Sequence, residues 1–192
     1  MADYQAPFDS NSMYYVLNFS SFLKDNYRSC IDSKKDRPLR GQLWSPPVGS
    51  TLKFNVDGSS FGNPGAAGVG GVLRDSSGKV VGMFSEFVGN LDAITAEILA
   101  IHRAVSLVAA TNALYDKEVD FTSDSKSAVE WINSNDMGNV YHLQLIADTR
   151  DLIHSLPNSR LTFHPRISNS FADSLARRGA SKMGFNLIWD FQ

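Results

Sequence analysis

The sequence predicts a mixed α/β domain behind an N-terminal extension, and three observations carry that prediction. From residue 51, three strand patterns follow one another through short connections, which makes an antiparallel meander. Further along, strand patterns alternate with helical ones, which requires parallel pairing through right-handed crossovers. The paired prolines of SPPVGS (45–50) fit neither a helix interior nor a central strand. They separate the periodic part of the chain from a first fifty residues with little periodicity.

Each element has its own warrant. TLKFNVDG (51–58) reads as a strand because Leu52, Phe54 and Val56 alternate with polar neighbours. SSFGNPGAAG (59–68) is loop chemistry. VGGVLR (69–74) and KVVGMFSEFV (79–88) flank DSSG, a hairpin signal. Residues 92–111 are rich in Ala, Leu and Ile on almost every side, which predicts a buried helix. VDFTSD (119–124) reads as a strand and SKSAVEWINS (125–134) as a helix. YHLQLIADTRDLIHSL (141–156) is a helix stopped by Pro157, RLTFH (160–164) a strand, and FADSLARRGAS (171–181) a final helix. The expected organisation is an extension (1–50), a folded domain (51–183) and a short C-terminal tail (184–192). Within the extension, the apolar patch MYYVLNFSSFL (13–23) fits one helix or strand.

Composition bounds the function. A chain of 192 residues with 43% hydrophobic and 11% aromatic content is globular rather than disordered. The single cysteine, Cys30, excludes an internal disulfide framework and a cysteine-based zinc site. A net charge of −2 argues against gripping nucleic acid by bulk positive charge. The periodic part is the acidic one: residues 51–180 hold 11 Lys+Arg against 14 Asp+Glu, a net of −3. The N-terminus lacks a basic, apolar leader, and the most apolar stretch (93–110) carries Glu97, His102 and Arg103, which is wrong for a membrane span. An intracellular protein, nuclear or cytoplasmic and monomeric, without a membrane partner, is the expectation.

Four acids stand out. Asp57 closes the first strand and Asp124 the fourth, so parallel neighbouring strands would put both at one carboxyl edge, where open α/β sheets bind ligands. Glu97 interrupts an apolar helix, a costly place for an unpaired carboxylate. Asp173 lies in the first turn of the last helix. Converging acids need cations, and hard oxygen donors select Mg²⁺ or Mn²⁺. Each acid also has a local reading: Asp57 in an Asp-Gly turn, Asp124 as a helix N-cap, Asp173 paired with Ser170 in a capping box, and Glu97 as an exposed or paired helix residue. Spacing alone leaves both readings open.

The run NVDGSSFGNPGAAGVGGVL (55–73) resembles the opening of type 1 ribonuclease H. TAEILAI (95–101), FTSDSKSAVEWI (121–132) and FHPRISNSFADSLARRGA (163–180) resemble, in order, that family's remaining motifs. The resemblance covers about residues 51–183. The W-S-P-P before it and the Arg-Arg-Gly-Ala-Ser near its end are most similar to ribonuclease H-like domains of plant retroelement-derived proteins.

The resemblance implies a five-stranded mixed sheet of order 3-2-1-4-5 flanked by helices. It implies that Asp57, Glu97, Asp124 and Asp173 hold two Mg²⁺ ions, with Mn²⁺ as a substitute, and that His164 assists proton transfer or product release. Gly58, Ser59, Asn63 and Ser125 match positions that contact substrate. The activity implied is hydrolysis of the RNA strand of RNA–DNA hybrids, leaving 5′-phosphate and 3′-hydroxyl ends. A retroelement-derived nucleic-acid-binding domain with weak or no catalysis is the alternative. Its basis is a set of departures: Ala93 and Ile94 where relatives carry asparagine, Asn90 as the nearest substitute, no basic helical protrusion across residues 135–160, and Ile167 where an acid is common. Arg166, Arg177 and Arg178 are the nearest candidates for phosphate contact.

Overall fold

The computed structural model describes residues 44–134 and 140–189; most of the expected extension, with its apolar patch at 13–23, lies outside the described residues. Six strands, β1 (Leu52–Gly62), β2 (Gly65–Arg74), β3 (Val80–Leu91), β4 (Val119–Ser123), β5 (Arg160–Phe163) and β6 (Phe185–Trp189), form one sheet in the order β5-β4-β1-β2-β3-β6. β1, β2 and β3 pair antiparallel, whereas β4 joins β1 and β5 joins β4 in parallel. The expected order 3-2-1-4-5 is contained in this sheet.

Two expectations are corrected. The stretch read as a tail includes a sixth strand, antiparallel to β3. It covers an edge that would otherwise leave unpaired N–H and C=O groups. Trp189 anchors it: a Cβ on Gly82 would stand 2.6 Å from the Trp189 ring, and Trp189 Nε1 donates to Thr111 Oγ1 at 3.0 Å. Five residues beside a glycine carry too little periodicity to announce a strand. The second correction concerns β1, which runs past Asp57 to Gly62 and pairs with β2 up to Gly62↔Gly65. The glycines and serines of 59–68 read as a loop, yet they are paired strand closed by the turn at Asn63 and Pro64. Asp57 therefore sits inside β1 rather than at its end.

Among the described residues five α-helices accompany the sheet: α1 (Ala93–Ala109), the single turn α2 (Asn112–Tyr115), α3 (Lys126–Asn133), α4 (Leu143–Ser155) and α5 (Ser170–Ser181). The apolar α1 packs on β1 with α3 and α4 beside it, and α5 covers β1, β2 and β3. Strand alternation sorts the two faces. Phe54, on the α1 side, stacks on Phe121 at 6.0 Å and meets Phe84 edge-on at 5.9 Å in the centre of the core. Lys53, Asn55 and Asp57 point to the opposite side and are also buried. Trp44 and Ser45, within the expected extension, help satisfy this polar row. Trp44 Nε1 donates to Asn55 Oδ1 at 2.9 Å, and Lys53 Nζ donates to the Ser45 carbonyl at 3.0 Å. No described helix is long and apolar enough to cross a membrane.

Candidate active site

The site forms where β4 stops. The parallel ladder between β1 and β4 ends at Asn55↔Thr122, and after Ser123 the chain turns into α3. Ser125 supports that turn: its N–H donates to Ser123 Oγ at 3.1 Å, and its hydroxyl accepts from Ala128 N at 3.4 Å as the helix N-cap. Ser125, not Asp124, is thus the cap, and the Asp124 carboxylate is left for other work. β1 continues alone on this side, so Val56 and Asp57 have no strand partner there.

Asn169 fills the gap. It is 2% exposed, and its Nδ2 donates to the Val56 carbonyl at 2.8 Å, an acceptor that β4 no longer reaches. The same nitrogen lies 3.3 Å from Asp124 Oδ1 and 3.5 Å from Asp57 Oδ1. Spacing assigns Asn169 no role, although it lies within FHPRISNSFADSLARRGA (163–180), the segment that resembles the family's last motif. Replacing it with alanine is expected to cost about 1–3 kcal/mol of stability by orphaning Val56. It should also lower any cleavage activity about 10–100-fold by loosening two carboxylates. Chemical denaturation and steady-state kinetics on one preparation check both.

Glu97 arrives from α1. The helix begins at the N-cap Asp92, whose carboxylate accepts from Thr95 N and Thr95 Oγ1, both at 2.8 Å. Its first N–H, of Ala93, donates to Asn63 Oδ1 at 3.2 Å. α1 comes so close to β1 that a Cβ on Gly58 would stand 2.3 Å from Glu97 N and from Ala96 C. Only glycine permits this approach. It lets Gly58 N donate to Glu97 Oε2 at 3.1 Å.

Oxygens of Asp57, Glu97 and Asp124 consequently lie within 4.8 Å of one another. Asp57 is 3% exposed. Burial, followed by the Glu97 and Asp124 charges, pushes its carboxyl up to about 10. Glu97 is raised to about 8 by burial and Asp124, against the opposing pull of the Gly58 N–H and Arg166. Crowding of this kind is relieved by a divalent cation, and three carboxylates at this separation suit a hard one.

The structure treats the other expected site residues differently. Asp173 stands on α5 beside the trio, and its charge reaches Asp57 and Glu97. Its oxygens are held by arginines: Oδ1 by Arg166 Nη2 and Oδ2 by Arg177 Nε, both at 2.9 Å. The capping box with Ser170 does not form, because the N-cap of α5 is Asn169. His164 follows β5 directly. Its backbone N–H donates to the Ser123 carbonyl at 2.9 Å, and burial, then the Lys53 charge, lowers the pKa of its ring against the opposing pull of Asp120. Arg166 feels Asp173 most strongly, and Asp124 and Asp57 as well. Ser59 is a half-buried β1 residue opposite Gly68.

Comparisons agree with this architecture. The pattern of the family described as reverse transcriptase-like matches residues 55–179. An Arabidopsis thaliana protein with a provisional ribonuclease H name is 44% identical over 59 residues, covering 31% of this chain and 10% of that protein. Among solved structures, LC11-RNase H1, isolated from compost by a metagenomic approach, superposes with a TM-score of 0.64 at 26% identity. It spans 69% of this chain and 97% of its own. RNase H1 of the archaeon Halobacterium salinarum gives a TM-score of 0.60 at 26% identity over 68% of this chain and 98% of its own. LC11-RNase H1 has also been solved in complex with an RNA/DNA hybrid, where the TM-score is 0.62 at 26% identity over 68% of this chain and 96% of its own. With the strand order and the acid trio already in place, this chain belongs to the reverse transcriptase-like family and is of the ribonuclease H type.

Proposed function

We propose that this protein hydrolyses the RNA strand of RNA–DNA hybrids in a divalent-cation-dependent reaction. The observation that carries the reading is the meeting of Asp57, Glu97 and Asp124 at the end of β4, with Asp173 next to them. These residues would hold Mg²⁺, with Mn²⁺ as a substitute. When bound, the ions supply charge neutralisation at the attacked phosphorus and at the leaving 3′-oxygen. The chain's own residues do the rest. Asn169 and Gly58 fix Asp57, Asp124 and Glu97 in place. Arg166, exposed and paired with Asp173, is a candidate contact for a substrate phosphate. Preference for RNA over DNA requires a contact to the 2′-hydroxyl, and Gly58, Ser59, Asn63 and Ser125 are the candidates to make it. His164, which follows β5, is the candidate for the proton-transfer or release role.

End-labelled RNA–DNA, RNA–RNA and DNA–DNA duplexes, incubated separately with the protein in Mg²⁺, test this. Cleavage confined to the RNA strand of the hybrid, with 5′-phosphate and 3′-hydroxyl products, is the expected result. Tight hybrid binding without cleavage in Mg²⁺ or Mn²⁺ would replace the reading with that of a retroelement-derived binding domain. Ala93 and Ile94, apolar at the first turn of α1, favour that second reading.

A further inference from the structure

The four acids are not equivalent. Three place oxygens within 4.8 Å of one another, and Asp173 is outside that group. Both Asp173 oxygens are engaged by different cations, Arg166 from the turn before α5 and Arg177 one helical turn further along it, each at 2.9 Å. Asp173 is 20% exposed at its side chain, so this pairing is partly sheltered, whereas the two guanidinium side chains are 71% and 57% exposed. The arginines are therefore free to leave while the carboxylate stays.

We infer that Arg177, together with Arg166, clamps Asp173 and sets the order in which the site loads, an inference that rests on the proposed cation-dependent nuclease. Asp57, Glu97 and Asp124 make a ready site for a first divalent ion. A second ion that uses Asp173 must approach two guanidinium groups, and like charges a few ångströms apart repel even near solvent. Its binding is weaker by that repulsion and by the ion pairs it has to break. A polyanionic hybrid reverses the balance, because guanidinium groups bond phosphate oxygens in the same forked geometry that they offer a carboxylate. Substrate phosphates draw the arginines off Asp173, and the second ion binds more tightly once substrate is present. Arg177 is thus a positioning residue, acting through Asp173.

Calorimetric titration with Mg²⁺ and with Mn²⁺, in the absence of nucleic acid, reads this without any catalytic assay. The wild-type protein should show one tighter and one weaker event. Arg177→Gln should strengthen the weaker event by about threefold to fivefold, the size expected for removing a partly exposed ion pair. The tighter event should be unchanged. Arg177→Lys keeps the charge at the same helical spacing and should restore the wild-type isotherm, which a merely structural role for the arginine would not do. An unchanged weaker event in Arg177→Gln, or weakening in both variants alike, overturns the clamp and leaves the proposed nuclease standing. Absence of any divalent-cation binding by the wild-type protein overturns both.

Discussion

Asp57→Asn is expected to abolish hybrid cleavage, by at least about 10³-fold, and at the same time to make the protein more stable when chelator is present. The two effects share one origin. Asp57 is buried against Glu97 and Asp124, and its carboxyl is raised from 3.8 to about 10. Glu97 is raised from 4.5 to about 8. A carboxyl raised by folding holds its proton in the native state after the unfolded chain has released it. Its contribution to stability is then fully present below about pH 4 and is lost as pH rises toward 8–10. In EDTA, this part of the wild-type melting temperature should fall between pH 5 and pH 9. The asparagine variant should fall less and should melt higher at pH 8 by roughly 2–8 °C, or about 1–2 kcal/mol. Mg²⁺ should raise the wild-type melting temperature and leave the variant nearly unmoved. Parallel thermal melts across pH, with and without Mg²⁺, decide it. A variant that is less stable than wild type in EDTA at pH 8 would contradict the electrostatic account of the trio.

Gly58→Ala carries the other large effect. The added methyl would meet α1 backbone at 2.3 Å, and backbone cannot swing aside as a side chain can. The helix must move off β1, at a cost of about 3 kcal/mol. Glu97 moves with it, because the Gly58 N–H that holds Glu97 Oε2 is at the point of contact. Displacement of one ligand by about 1 Å is expected to lower turnover by about 100-fold in the protein that remains folded. Denaturant midpoints and single-turnover rates measure the two parts. Ser59→Ala is a useful contrast, since it removes only a hydroxyl from a half-buried β1 residue paired with Gly68. It should leave stability within about 0.5 kcal/mol.

The legible parts of the molecule are those where one physical signal dominates. Alternation at Leu52, Phe54 and Val56 marked the central strand, and the apolar run of α1 made Glu97 conspicuous. The four-part resemblance then supplied the sheet order that periodicity could not. What was not legible has physical reasons as well. In the β1–β2 hairpin, strand pairing proceeds through Ser59, Ser60 and Gly62, residues whose composition signals a turn. β6 rests on the contact of Trp189 with Gly82, a long-range fit between residues more than one hundred positions apart. Asp124 escaped its local role because Ser125, one residue later, caps α3 instead. Arg166 and Asn169 drew less notice than His164, because neither the guanidinium pairing of Asp173 nor the capping of Val56 can be read from spacing. The structure brings these two to the acids, Arg166 onto Asp173 and Asn169 onto the Val56 carbonyl.

Single-turnover cleavage of an end-labelled RNA–DNA hybrid, run in Mg²⁺ and in EDTA with wild type beside Asp124→Asn, tests the central claim most directly. RNA-strand cleavage by the wild type in Mg²⁺ alone, absent in the variant, is the result expected from an acid cluster that works with divalent cations. Cleavage that persists in EDTA or in Asp124→Asn, or no cleavage by folded wild-type protein in Mg²⁺ and in Mn²⁺, would contradict it.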